Sequence, residues 1–144
     1  MLRSKLFIVL TLVLFFGIAV AGLGQTQQVK KIKLPNGEEV VDLNGEWDSL
    51  FESYGRYSEY GTSENVSKIT MKGNSFVGIR MRQDDWHAPG SVAIRGELDK
   101  DGIKKVQIMS GMGPIDAKGQ ISEDGNKIII DAADKVRLTL IRKK

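Results

Sequence analysis

The chain of 144 residues contains no cysteine. That excludes disulfides, thiolate metal sites, a cysteine nucleophile and the lipid-modified cysteine of an exported lipoprotein. Histidine occurs once, as His87, so any Ser–His–Asp triad has to be built on that ring. No serine stands in a Gly-x-Ser-x-Gly setting. The segment Met109-Ser-Gly-Met112-Gly113-Pro114 lacks the Lys-Ser/Thr of a phosphate loop, which removes nucleotide binding from consideration. No basic stripe with interleaved aromatics runs along the chain, so nucleic acid is not an expected partner. Internal repeats and low-complexity linkers are also missing.

One long apolar run is present, and it lies at the N-terminus. Met1-Leu-Arg-Ser-Lys5 is followed by Leu6 to Val20 without a charge, and then by Ala19-Val20-Ala21-Gly22. A basic start, an apolar core and a small-x-small exit predict a cleavable export signal over residues 1–24. The alternative is an uncleaved helix anchored in the inner membrane, since Leu6 to Leu23 reaches the length at which spanning begins. Either version places the rest of the chain outside the cytoplasm, periplasmic or secreted. Removing Arg3 and Lys5 from the 21 basic residues leaves 19 against 18 acidic ones, a nearly neutral domain. About 120 residues then suffice for one core.

From Val29 onward, turn formers recur every eight to twelve residues: Pro35-Asn36-Gly37, Asn44-Gly45, Lys72-Gly73-Asn74, Pro89-Gly90, Asp99-Lys100-Asp101-Gly102, Gly111-Met112-Gly113 and Glu123-Asp124-Gly125-Asn126. Short alternating segments between them predict an all-β antiparallel meander. The expected strands are Glu46–Glu52, Val66–Lys72, Ser75–Met81, Ser91–Leu98, Ile103–Met109, Ala117–Ser122, Lys127–Asp131 and Val136–Arg142. Eight such strands close into an up-and-down barrel over residues 43–144. Residues 25–42 form an N-terminal extension or hairpin that covers one end. Alternation puts Val77, Ile79 and Met81 on the inward face opposite Gly78 and Arg80. It likewise places Val92, Ile94 and Leu98 inward, together with Val136, Leu138 and Leu140. The run Ile128-Ile129-Ile130 is expected to be buried on both sides or to sit at a rim.

Leu43-Asn-Gly45-Glu46-Trp47, Lys72-Gly73-Asn74-x-Phe76-x-Gly78, Ile94-x-Gly96-x-Leu98, Gly119-x-Ile121-Ser-x-Asp124-Gly125-Asn126 and Leu138-Thr-Leu140-Ile-Arg142 together resemble the calycin group. That group comprises the lipocalins and other small eight-stranded barrels, including many exported bacterial proteins of unknown role. The resemblance spans Leu43 to Arg142. It implies that Gly45 and Trp47 open the first barrel strand and that the indole plugs the closed end beneath a basic side chain of the last strand, Arg142 or Arg137. The chain departs from lipocalins proper in its lack of disulfides, its shortness and the absence of a helix after the barrel.

The loop Gln83-Asp84-Asp85-Trp86-His87-Ala88-Pro89-Gly90 gathers two carboxylates and the lone imidazole, the set from which a divalent-metal or acid–base site would have to come. With no second His and no Glu-x-x-His, a polar hairpin loop anchored by Trp86 is the expectation, with no metal and no cofactor. Tyr54, Tyr57 and Tyr60 in the first long connection, Trp86, and the thioether of Met112 are expected to form a rim at the open end, suited to apolar, amphipathic or sugar-like ligands. Strand glycines Gly78, Gly96 and Gly119 either leave room for a ligand or mark bends. Asn65-Val66-Ser67 matches the N-glycosylation sequon. The expected function is therefore that of an exported non-enzymatic binding protein. The alternative is an envelope-associated interaction protein with a filled barrel and a protein partner.

Overall fold

The computed structural model describes residues 28–144, so the expected export segment lies outside the described residues. Ten strands follow one another: β1 (Lys31–Lys33), β2 (Glu39–Val41), β3 (Gly45–Ser53), β4 (Thr62–Lys72), β5 (Ser75–Arg80), β6 (Val92–Asp99), β7 (Gly102–Ser110), β8 (Gly113–Ile121), β9 (Lys127–Ala132) and β10 (Val136–Arg142). The last eight form a closed antiparallel barrel in sequential order, with β10 returning to pair β3. Closure removes the free edges that an open eight-stranded sheet would expose.

The up-and-down order sends alternate connections to opposite ends, and the two ends differ. One is sealed. Trp47 is fully buried there, its Nε1 donating to Leu43 O at 3.0 Å. The guanidinium of Arg142 lies 4.3 Å from the indole centroid. It donates to the carbonyls of Asn44 (3.1 Å), Asp42 (2.8 Å) and Gly125 (3.1 Å). The hairpin β1–β2 covers this end and sinks Val40 and Leu43 into the core. Lys30 pairs with the buried Asp42 at 3.1 Å, and the Glu38 carboxylate accepts the Lys100 backbone N–H at 2.7 Å. Arg137 sits elsewhere, paired with Asp131 on the surface at 2.7 Å.

Phe76, Ile69, Ile94, Leu98, Ile108, Ile128, Ile130 and Leu140 fill the barrel above Trp47. The strand glycines do not open space among them. A Cβ on Gly78 would stand 2.7 Å from Ile94 Cγ1, on Gly96 2.7 Å from Phe76 Cζ and on Gly119 2.6 Å from Ile103 Cδ1. Each glycine is a notch into which a neighbouring large side chain packs.

Three face assignments made from alternation are corrected. In β5 the inward residues are Phe76, Gly78 and Arg80, whereas Val77 and Met81 are exposed and Ile79 is half-buried. Alternation had scored Arg80 as a solvent residue, but its guanidinium is fully engaged inside the barrel. In β6 the pairs Gly78↔Ile94 and Ile79↔Val92 leave Ala93 as an extra residue. This bulge turns Ala93 and Ile94 both inward and Val92 outward. Ile128 and Ile130 are buried while Ile129 is half-buried, so β9 alternates instead of being buried on both sides. Inward-facing Leu98, Val136, Leu138 and Leu140 stand as expected.

Candidate functional site

The open end holds a cavity of about 240 Å³. Its origin is readable from the register. The pairs Trp47↔Ser67, Ser49↔Asn65 and Phe51↔Ser63 place the even-spaced residues of β3 and β4 on one inward face. Near the sealed end that face carries Trp47 and Ile69, but toward the mouth it carries Ser49, Ser53, Ser63 and Ser67, which are too small to meet the opposite wall. The hydroxyl of buried Ser67 donates to that of buried Ser49 at 3.2 Å, forming a polar floor. Phe51, Ala93, Val136, Leu138 and Met112 supply the apolar lining.

Arg80 crosses this floor. The register pairs between β6 and β7 begin at Ile94↔Ile108, and Arg80 ties the two strands together on the mouth side of that pair. Its Nη1 donates to Val92 O at 2.6 Å and its Nη2 to Met109 O at 2.8 Å. Burial holds the Arg80 pKa below its ordinary value, with the Asp84 carboxylate, 3.8 Å from Nε, partly offsetting that effect.

Asp84 organises the loop that carries Trp86 and His87. Its Oδ1 accepts the backbone N–H of Trp86 (2.9 Å) and of His87 (2.7 Å) and lies 3.1 Å from His87 Nδ1. A carboxylate accepts only, so Nδ1 carries the proton in this contact. The Nε2 of that ring is buried and has no hydrogen-bond partner among the described residues. No cavity serine is therefore bonded to the imidazole in the manner of a nucleophile and its base. Burial is the largest single influence on Asp84 and raises its pKa, yet the three hydrogen bonds and the electrostatic attraction of His87 together outweigh it and hold the carboxyl below the usual value. A group whose folded pKa is depressed stabilises the fold above its unfolded pKa, about 4, and loses that contribution as pH falls through the folded value. The melting temperature should thus fall on acidification below about pH 4. Asp84→Asn should melt lower at neutral pH but show a shallower acid slope, a difference that thermal melts across pH 2.5–6 would detect.

The aromatics expected at the rim divide. A 3₁₀ helix, Gly55–Tyr60, fills the first long connection. It starts at a glycine with φ +56, where a Cβ would lie 2.6 Å from Asp134 O. Tyr57 and Tyr60 line the cavity, and Tyr60 meets Trp86 edge-on with centroids 5.1 Å apart. Trp86 is 60% exposed and stands at the mouth, as does Met112 at 68%. Tyr54 does not line the cavity: it precedes the helix in extended conformation, its backbone N–H donates to Lys135 O at 2.7 Å, and its side chain is exposed. Asp85 is likewise absent from the lining, and among the described residues no three acidic or histidine side chains converge on a point that could hold a metal. Asn65, the sequon residue, spends its amide on Arg82, donating to its carbonyl at 3.0 Å and accepting its N–H at 3.1 Å.

Sequence reasoning passed over Ser49, Ser63, Ser67 and Arg80. Ser49 was recoverable by carrying the alternation upward from Trp47, since an inward indole at 47 forces 49, 51 and 53 inward as well, whereas Ser63 and Ser67 follow only from the pairing of β4 with β3. Arg80 offered no such signal.

Fold and site together define a closed up-and-down barrel that is packed at one end and hollow at the other. Comparison with protein-family models, with curated proteins and with solved structures finds no match.

Proposed function

We propose that the chain is an exported, non-enzymatic binding protein of calycin type, which holds a small, mainly apolar ligand in the open end of its barrel. The observation that carries this reading is the asymmetric interior: large side chains fill one half, and serines on two adjacent strands leave about 240 Å³ in the other beneath an aromatic mouth. Small-molecule sites share this character, a concave apolar wall with a few placed polar groups. The volume lies below the roughly 300–1,000 Å³ of drug-sized sites, so the ligand is of single-ring size. Export follows from the leader read in residues 1–24, and the unbonded Nε2 of His87 supports the absence of a hydrolytic dyad.

Native mass spectrometry on protein purified without denaturation should show an added small mass that solvent extraction removes. Ser67→Leu, which grows into the cavity from its floor, should abolish that mass. A bare wild-type mass, with no thermal stabilisation by panels of small apolar compounds, would instead favour the second reading, a partner-binding barrel. The outer face of β5 and β6 favours that alternative, because Val77, Met81 and Val92 are all exposed there.

A further inference from the structure

We infer that the cavity selects an uncharged ligand whose polar end both takes and gives a hydrogen bond, as a carboxamide does, between the Nε–H of Arg80 and the Oδ2 of Asp84. This rests on the binding function proposed above and specifies the charge and the polar group of its ligand.

Arg80 and Asp84 are the one guanidinium and the one carboxylate in the cavity wall. Most of their hydrogen-bonding capacity is spent on the protein. The guanidinium gives Nη1 to Val92 O and Nη2 to Met109 O, and Asp84 Oδ1 takes the backbone N–H groups of Trp86 and His87 and the His87 ring. What they leave is Nε on one side and Oδ2 on the other, 3.8 Å apart, a separation too long for a direct hydrogen bond. His87 Nε2 is the one side-chain polar atom among the described residues that is both unpaired and fully buried. Nε and Oδ2, equally unpaired there, therefore keep contact with open space. Arg80 points into the barrel, so that space is the cavity both residues line.

A donor and an acceptor side by side read a group that carries the complementary pair. A carboxamide presents a carbonyl oxygen to Nε and an N–H to Oδ2, whereas a carboxylate has no donor and an amidinium no acceptor. Charge acts in the same direction. The two residues already neutralise each other, so an anionic ligand would sit against Asp84 and a cationic one against Arg80, each having given up its hydration. The hydrogen bonds that hold the Asp84 carboxyl below the usual range keep it ionised at neutral pH, where it turns anions away. Phe51, Tyr57, Tyr60, Val136 and Leu138 supply an aromatic and aliphatic wall for the rest of the ligand.

Calorimetric titration of the purified protein at pH 7 with benzamide, acetophenone, benzoate and benzamidine tests this, because the four share a ring and a planar end but differ in charge and donor. Benzamide should bind about tenfold more tightly than acetophenone, which accepts but cannot donate, the factor expected of one hydrogen bond. The benzoate anion and the benzamidinium cation should each bind weaker than benzamide by about tenfold or more. Asp84→Asn puts an N–H in place of the free oxygen and removes the negative charge, and should bring benzoate above benzamide. Should that variant fail to fold, the wild-type ranking decides alone. Equal affinity for benzamide and acetophenone would overturn the bridge to Asp84. Tighter binding of benzoate or benzamidine by the wild type, or an unchanged ranking in a folded Asp84→Asn, would overturn the charge selection, and all three results leave ligand binding intact. No binding by any of the four at millimolar concentration would overturn the binding function itself.

Discussion

Trp47→Ala is expected to destabilise the barrel by about 3–5 kcal/mol, the range for removal of a buried large aromatic side chain. The site cannot collapse easily. The indole is held from outside by Arg142, whose guanidinium is anchored on three backbone carbonyls, and from inside by the packed core. The β1–β2 hairpin rests on the same arrangement, since the carbonyls of Asp42 and Asn44 that receive Arg142 belong to the chain leaving β2. Urea unfolding gives the loss, and hydrogen exchange should show β1 and β2 losing protection first. A double-mutant cycle of Trp47→Phe and Arg142→Met isolates the ring–cation contact, expected at about 0.5–2 kcal/mol. A Trp47→Ala loss under about 1 kcal/mol would show that the sealed end does not depend on the indole.

Arg80→Met is expected to cost about 3–5 kcal/mol as well, for a different reason. The methionine replaces most of the volume, so little of the loss is packing. What remains is Asp84 without its cation and two carbonyls, of Val92 and Met109, without the guanidinium donors that linked β6 to β7 at the mouth. Arg80→Lys should fall between the two, because one ammonium lacks the fork that reaches both strands. Guanidinium melts rank the three proteins. Hydrogen exchange should locate the damage at the mouth ends of β6 and β7, leaving the sealed end protected. Equal stability of Arg80→Met and wild type would mean that the mouth ends of those strands need no clamp.

These two residues show how unevenly the structure was legible beforehand. Trp47 stood next to a turn at the head of a regular meander, and its place at the closed end came from the resemblance to the calycin group. Strand existence and order were local: turn formers at short intervals with alternating residues between them specify hairpins, and hairpins in sequence specify neighbours. Arg80 was misread because alternation counts a charged residue as solvent-facing, whereas a guanidinium is tolerated inside when carbonyls receive it. The error propagated along β5 because a strand has two faces, and assigning one residue wrongly exchanges them all. In β6 a single extra residue, Ala93, broke the period that alternation assumes.

The candidate site was partly visible for similar reasons. Tyr57, Tyr60, Trp86 and Met112 reached the mouth because they lie in connections on one side of an up-and-down order. Tyr54 shares their spacing but not their destination, since the chain enters the 3₁₀ helix only after it. The Asp84–His87 contact lies within three residues, yet its consequence, an imidazole with one nitrogen tied and the other buried without a partner among the described residues, needs the surrounding strands to be known.

The sequence alone determined the class of fold and the number and order of barrel strands, because those depend on contacts between near neighbours in the chain. Only the tertiary structure decided which face of β5 is inside, that Arg80 bridges two other strands, and that serines from β3 and β4 meet no large partner across the barrel. Closure sets those outcomes, since it brings together side chains from strands far apart in sequence, and whether a position is filled or hollow is a property of the whole ring.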